Sequence, residues 1–397
     1  MFRRKRILFV SESVTLAQIV RLATLARALD PDRYDIHFAA THFPGHVDFP
    51  PQRWPLWGIP AEVAQARLSA GKRLYTPRVL RQYVKSDVDL IEAVRPDLIV
   101  GDLRWSLAVS APMRQVPLAA LINAYWSPYA KRDGFPVPDH PAVRWLGERV
   151  ATKYFPKALP WVFRYFAAPV NRERRRAGLA PLGNLLDVLS FGDFTLYADP
   201  PELVDMHELP VHHHFLGAIA WSAKGTPPEA WGRRTDRPPV YVTMGSSGAE
   251  RCAPVILRAL SRLSVDVLLA SAGRSIPDCL PDNVHEVSFV DGQAACARAR
   301  LVIHNGGSST GYQALQAGRP VLGIPSNLDQ YLASDRICAQ GAGLMLRSGS
   351  LSEDQVITAV QRLLTDVGFR GSAERLRQIF LRHDAGENFR RFVAQTA

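Results

Sequence analysis

A short apolar run, Ile7 to Val10, stands between a basic start and the polar turn Ser11-Glu12-Ser13. Behind that turn, Leu16, Ile19, Val20, Leu22, Ala23, Ala26 and Leu29 recur at the three-and-four spacing of a helix that buries one face. Pro31 stops the helix, and YDIHFAA returns as a second strand. This order predicts a parallel strand pair joined by a right-handed crossover. The strand DLIVGD, the apolar helix WSLAVSAPM and the strand PLAALINA carry the alternation on. The strands are near-continuous apolar runs, which predicts a sheet covered on both faces.

Residues 126–183 break that rhythm with prolines, arginines and aromatics, and DFTLYAD then reads as a further strand. TPPEAWGRRTDRPP has the composition of a linker. After it the alternation restarts with VYVTMG, a helix over roughly 252–263, then VDVLLASAG, VHEVSFV and ARLVIHNGG. STGYQALQAG and DQYLASDRICAQG read as helices on either side of the strand PVLGIP, and the chain is helical from about 353 to 395. Two successive parallel α/β units with a Pro-rich link between them predict two Rossmann-like domains facing each other across a central cleft. The domains are expected at 1–220 and 239–375, with the linker at 221–238. In such sheets ligands lie beyond the carboxyl ends of the strands, so the chemistry is expected just after each strand.

Composition removes alternatives. The 397 residues are 47% hydrophobic and 21% charged, which excludes a disordered chain, a fibre and a disulfide scaffold. Cys252, Cys279, Cys296 and Cys338 form no CxxC pair, so neither a zinc site nor a disulfide framework is expected, and a reducing cytoplasm fits. Four apolar residues at the start are too few for a secretory segment, and no run approaches the roughly 18 of a spanning helix. The expected location is cytoplasmic, with contact limited to a membrane's inner face.

The strongest chemical signal is VIHNGGSSTGYQALQAGRPVLGIPSNLDQ, residues 302–330. A buried strand runs into Asn305-Gly306-Gly307-Ser308-Ser309-Thr310, where a helix begins. Glycines admit a ligand close to the backbone, and the free N–H groups with the positive end of the helix dipole suit a diphosphate. The block resembles the donor-binding signature of family-one glycosyltransferases of the GT-B fold, the superfamily of macrolide, antibiotic and plant secondary-metabolite enzymes that includes the UDP-glucuronosyltransferase-like proteins. VYVTMGSSG, SFVDGQAAC, HNGGSSTGYQAL and PSNLDQ carry it in order over residues 239–345, while residues 1–125 are similar mainly in architecture.

The resemblance implies an inverting transfer of a hexose-type sugar from a nucleotide-diphosphate sugar to a hydroxyl on a hydrophobic or lipid acceptor, with no metal cofactor. It implies that Gly245, Ser246 and Ser247 lie near the diphosphate and that Val290 offers its backbone to the base. Gly306 belongs to the donor turn, with Gly307, Ser308, Ser309 and Thr310 holding the diphosphate; His304, one residue before Asn305, is expected to pack into the strand end, with contact to the phosphate as the alternative. Gln313 stands where many members have a Glu on the ribose hydroxyls, a change that fits a deoxyribonucleotide. Asp329 and Gln330 match the pair that contacts the sugar. A helical segment at 376–397 is implied to cross back to the first domain.

Two positions depart from the pattern. Asn305 falls in the column of a diphosphate-binding His, and Gln18 falls in the column of the catalytic His, where an amide cannot take a proton. Asp102, in LIVGDLRWS, matches the family's Asp partner and is the favoured proton acceptor, with Glu12 the second. Two other readings stay open: a GT-B epimerase or hydrolase of nucleotide sugars, and a non-catalytic nucleotide-sugar-binding protein. His212-His213-His214 has no second ligand cluster and is not expected to hold a metal.

The formal charge of +11 is uneven. Residues 131–176 carry eleven basic and four acidic side chains, a local excess of seven. Without a supporting motif this does not predict nucleic-acid binding. Interleaved with Trp145, Tyr154, Phe155, Trp161, Phe163, Tyr165 and Phe166, the stretch 145–176 has the mix of a peripheral membrane contact, or of apolar packing under a solvated arginine face. Arg172 to Arg176 is expected to be such a solvated face.

Overall fold

The computed structural model describes residues 3–139, 143, 147–245, 249, 251–274 and 280–396. The chain divides into two compact units, one formed by Met1–Gly134, Glu148–Ile219 and His383–Ala397, the other by Phe135–Gly147 and Ala220–Arg382.

In the first unit, β1 (Lys5–Ser11) is followed by α1 (Leu16–Ala28) and β2 (Tyr34–Ala40). Then come β3 (Gln52–Pro55), α2 (Ala61–Ser69), α3 (Pro77–Val94), β4 (Leu98–Asp102), α4 (Leu107–Met113) and β5 (Leu118–Ile122). After a long helix, α5 (Glu148–Arg176), and a short one, α6 (Leu185–Leu189), β6 (Phe194–Tyr197) and β7 (His213–Phe215) close the sheet. The seven strands run in the order β3-β2-β1-β4-β5-β6-β7, every pairing parallel. Ile7 to Val10 on β1 and Leu98 to Val100 on β4 are buried, as the apolar runs required.

The second unit starts its sheet at β8 (Pro239–Thr243) and continues through α7 (Cys252–Ser261), β9 (Asp266–Ala270) and β10 (Val284–Val287). It goes on with α8 (Gly292–Arg298), β11 (Leu301–His304), α9 (Ser308–Gln316), β12 (Val321–Gly323), α10 (Leu328–Ala339) and β13 (Gly343–Met345), ending in α11 (Glu353–Thr365) and α12 (Val367–Arg382). Its order is β10-β9-β8-β11-β12-β13, again all parallel. In both sheets the order reverses beside the first strand, the position at which open parallel sheets bind ligands.

Three features differ from the sequence expectation. The irregular stretch is mostly one 29-residue helix, α5, although Pro156, Pro160 and Pro169 lie inside it. Each interior proline removes a helix hydrogen bond at a cost of about 3 kcal/mol. Leu159, Phe163, Ala167 and Val170, all buried, supply the packing that offsets it. Arg172–Arg176 is not wholly a solvated face: Arg174 is buried and donates to the carbonyls of Ala108 and Ala180. The segment around Leu376 stays with the second unit, because Phe380 packs edge-on against Tyr312 with centroids 5.2 Å apart. The last helix, Ala385–Thr396, packs in the first unit through Phe389 on Phe9 and Phe392 on Phe194.

Candidate active site

In the second unit the turn after β11 is shaped by backbone geometry. Gly306 adopts φ +80°, a conformation that favours glycine, and a Cβ there would stand 2.6 Å from Ser334 Oγ and 3.3 Å from the Gln330 carbonyl. Asn305, buried, accepts the Gly307 N–H at 3.1 Å through Oδ1. Its amide nitrogen would lie 3.3 Å from a Cβ on Gly245, the φ +55° residue ending the β8 turn. Asn305 thus links the two turns expected at the diphosphate. Gly307 is the N-cap of α9 and provides no side-chain cap. The first amides of Ser308, Ser309 and Thr310 therefore lack the partner that a Ser, Thr or Asp cap would give. Ser309 is exposed, with Ser308 and Thr310 half-buried. Ser246 and Ser247 lie outside the described residues.

His304 is placed otherwise than a donor contact requires. It is fully buried at the end of β11, its ring against Gly311, and neither ring nitrogen has a hydrogen-bond partner among the described residues. Burial lowers its pKa to about 4, so it stays neutral and packs in the core.

Gln313, on the second turn of α9, donates its amide to the Trp221 carbonyl and to Ser222 Oγ. Val290 is buried; the next residue, Asp291, caps α8 by accepting the N–H groups of Gln293 and Ala294. The Asp291 N–H binds the Gly225 carbonyl at 2.8 Å. The segment 221–225, read from sequence as the start of the linker, is therefore hydrogen-bonded to Gln313 and to the start of α8. Phe289, beside Val290, keeps 49% of its surface exposed. Asp329 is exposed in the first turn of α10. Gln330 is buried, with Oε1 accepting from the Ser326 N–H at 2.9 Å and its hydroxyl at 3.0 Å.

The first unit places its candidates at the ends of β1 and β4. Gln18 closes a capping box at the start of α1, its Oε1 accepting the N–H groups of Val14 and Thr15 at 2.9 and 3.2 Å. That is a structural role, met by an amide and not by an imidazole. Asp102 is fully buried, with both oxygens held by Arg21, Nη2 at 2.8 Å and Nε at 3.0 Å. Arg21 also donates to Asn123 Oδ1, whose amide binds Asp199. A carboxylate in a bidentate pair with a guanidinium is held in its charged form and is a poor proton acceptor.

Glu12 differs. It is buried beside Arg104, whose Nη1 lies 3.6 Å from Oε2, and Tyr83 donates its hydroxyl to Oε1 at 2.8 Å. Arg104 is drawn the other way by Asp87, which accepts from Nη2 at 2.7 Å and Nε at 2.9 Å. Oε2 of Glu12 makes no hydrogen bond among the described residues. Burial pushes the carboxyl up to about 7 against the opposing pull of Arg104 and the hydroxyls of Tyr83 and Tyr75. Asp102 is thus engaged in a buried ion pair with Arg21, while Glu12 carries a carboxyl raised to about 7.

Of the remaining candidates, His213 is hydrogen-bonded at 2.7 Å to Tyr197, which meets Ser127 at 2.8 Å. Among the described residues no three His, Cys, Asp or Glu side chains are grouped to hold a metal, and no helix is long and apolar enough to cross a membrane.

Known proteins resemble this chain over nearly its whole length. Residues 254–385 match the family of erythromycin biosynthesis protein CIII-like C-terminal domains. A PGL/p-HBAD biosynthesis glycosyltransferase of Mycobacterium tuberculosis is 42% identical over 384 residues, covering 95% of this chain and 89% of that protein. A PGL/p-HBAD biosynthesis rhamnosyltransferase of Mycobacterium bovis is 43% identical over 390 residues, covering 97% and 86%. Among solved structures, the spinosyn rhamnosyltransferase SpnG complexed with thymidine diphosphate superposes with a TM-score of 0.67 at 19% identity, covering 98% of this chain and all of that one.

Proposed function

Since the chain belongs to the family-one glycosyltransferases of the GT-B fold, we propose that it transfers a 6-deoxyhexose from a thymidine-diphosphate sugar to a hydroxyl of a hydrophobic acceptor. That it is a glycosyltransferase using a nucleotide-sugar donor rests on relatives matched along nearly the entire chain. The names of the relatives matched along nearly the entire chain favour transfer over hydrolysis, epimerisation or binding alone. The observation that carries the donor reading is the uncapped start of α9 beneath the Asn305–Gly307 turn.

In the proposed reaction the acceptor oxygen attacks the anomeric carbon as the bond to the diphosphate breaks, and the single displacement inverts the configuration. The bonding pair leaves with the diphosphate. N–H groups of Gly307 to Thr310 and the α9 dipole stabilise that developing charge, which needs no metal ion. For Glu12 to take the hydroxyl proton, its Oε2, enclosed here and without a hydrogen-bond partner among the described residues, must first be exposed to the acceptor. Asp102 acts through Arg21 as a support of the strand ends. Phe289 offers an exposed ring for the base, with the Val290 backbone beside it.

Two observations favour a thymidine donor of deoxysugar type. One relative is named a rhamnosyltransferase, and rhamnose is a 6-deoxyhexose. Gln313 spends its amide on Trp221 and Ser222 and lacks the negative charge that would reward a second ribose hydroxyl. Calorimetric titration with free dTDP and UDP tests this reading: tighter binding of dTDP supports it, and binding of neither overturns it.

The exposed face of α5 fits an anionic lipid surface near the pool of a lipid-like acceptor. Trp161 is 74% exposed and Tyr154 54%, flanked by Lys153, Lys157 and Arg164. No acidic residue occurs between Val150 and Arg172. Trp145 lies outside the described residues. Aromatic rings at headgroup depth with basic neighbours are what such a surface selects.

A further inference from the structure

Asp139 belongs by chain order between β5 and α5, yet the segment Phe135–Gly147 is part of the second unit. Its carboxylate is almost completely enclosed there. Oδ1 accepts the Tyr331 hydroxyl at 2.8 Å and Arg347 Nη2 at 2.9 Å, while Oδ2 accepts the Ser348 hydroxyl at 2.7 Å. Gly349 leaves the room it needs, since a Cβ there would lie 3.0 Å from Oδ2. Arg347 also donates to the Val137 carbonyl at 2.9 Å and lies 4.9 Å over the Tyr331 ring.

The backbone of Asp139 is committed as well. Its N–H binds the Ser326 carbonyl at 3.1 Å, and Ser326 in turn holds Gln330 Oε1 through its own N–H and hydroxyl. The turn from Ser326 to Tyr331, which presents Asp329 and Gln330, is therefore clamped at both ends by one residue. Its side chain grips Tyr331, and its backbone grips Ser326. Asn327 caps α10 between them by accepting the Gln330 N–H at 3.1 Å.

From this closed arrangement we infer that Asp139 is a positioning residue for sugar recognition: it fixes the turn that carries Asp329 and Gln330, and with it the choice among sugars on a common nucleotide. This rests on the reading of Asp329 and Gln330 as the sugar contacts. The turn packs against Gly306 of the diphosphate turn, so the two contributions are separated by comparing free nucleotide with its sugar conjugates. An enclosed carboxylate with three donors is a stiff anchor, and displacement of about an ångström at a contact group is enough to lose a hydrogen bond.

The test uses the whole chain with Asp139→Ala and, because the loss of a buried anion could impair folding, Tyr331→Phe, which removes only one hydroxyl. The wild type is first titrated with dTDP and UDP, and the variants are then titrated with whichever it binds. The same variants are titrated with that nucleotide's glucose and rhamnose conjugates. The expected result is a loss of tenfold or more in affinity for the preferred conjugate with Asp139→Ala and about threefold with Tyr331→Phe. Free nucleotide should bind within twofold of wild type, and the ratio between the two sugars should fall toward one. Equal weakening of free nucleotide and conjugate, or an unchanged sugar ratio in Tyr331→Phe, overturns the inference. Failure of the wild type to bind any nucleotide overturns the donor reading itself.

Discussion

Arg21 holds both carboxylate oxygens of Asp102, with Nη2 2.8 Å from Oδ1 and Nε 3.0 Å from Oδ2, where α1 packs against the end of β4. The pair is buried, so its value is mostly in what happens when it is broken. Asp102→Asn leaves a buried guanidinium without its counter-charge, and the expected loss of stability is about 3–5 kcal/mol. Urea denaturation measures this. The pH dependence of turnover in the folded fraction should keep its wild-type shape if, as proposed, Glu12 is the proton acceptor.

Glu12 should set that pH dependence. With a carboxyl raised to about 7, the active, ionised form accumulates as pH rises, so kcat/KM should climb through that region. Glu12→Gln should remove the climb and lower kcat/KM by about 100-fold or more. The same group makes a second, independent prediction. Its folded-state pKa of about 7 lies above the ordinary glutamate value of 4.5, so the folded chain binds more protons than the unfolded between those values. Stability should therefore fall as pH rises from about 4.5 to about 7, by up to about 3 kcal/mol, and Glu12→Gln should flatten that slope.

Gly306→Ala tests the donor turn. The added methyl meets Ser334 and Pro325 on a backbone at φ +80°, which costs roughly 1–3 kcal/mol. Affinity for free nucleoside diphosphate should drop by tenfold or more in calorimetry, with the melting temperature lowered by several degrees.

Gln313→Glu restores a negative charge where ribose hydroxyls are expected. Relative kcat/KM for uridine- over thymidine-diphosphate donors should rise by about tenfold, near the value of one charge-assisted hydrogen bond. Competition between the two donors in one reaction reads this ratio directly.

The face of α5 makes a prediction by flotation. The protein should rise with vesicles of anionic lipid at low salt, and Lys153→Glu with Lys157→Glu should cut the bound fraction, each lysine contributing about 1 kcal/mol. No flotation at low salt removes the membrane role.

Much of the architecture was legible because buried parallel strands write themselves as apolar runs, as at Ile7–Val10 and Leu301–Ile303. The turn after β11 was legible for a related reason: Gly306 and the uncapped Gly307 are local necessities of that backbone. Helix α5 was hidden because Pro156, Pro160 and Pro169 are local signals against a helix, overridden by contacts with distant residues such as those of α3. The surroundings of Asp102 and Glu12 were hidden too. Which carboxylate meets Arg21 and which meets Arg104 depends on side chains from separate elements, and burial that raises Glu12 has no signature in neighbouring residues. Asp139 was likewise silent, since its partners Tyr331, Arg347 and Ser348 lie 192 to 209 positions on.

The central claim is sugar transfer, and its most direct measurement is the stoichiometry of a single reaction. Purified protein is incubated with thymidine- and uridine-diphosphate sugars and a panel of hydrophobic alcohols, phenols and glycolipids, and mass spectrometry follows nucleoside diphosphate and acceptor together. The account predicts release that depends on acceptor, with one glycosylated acceptor formed per diphosphate and inverted configuration at the new bond. Diphosphate released at the same rate without acceptor, or free sugar in place of glycoside, would contradict it.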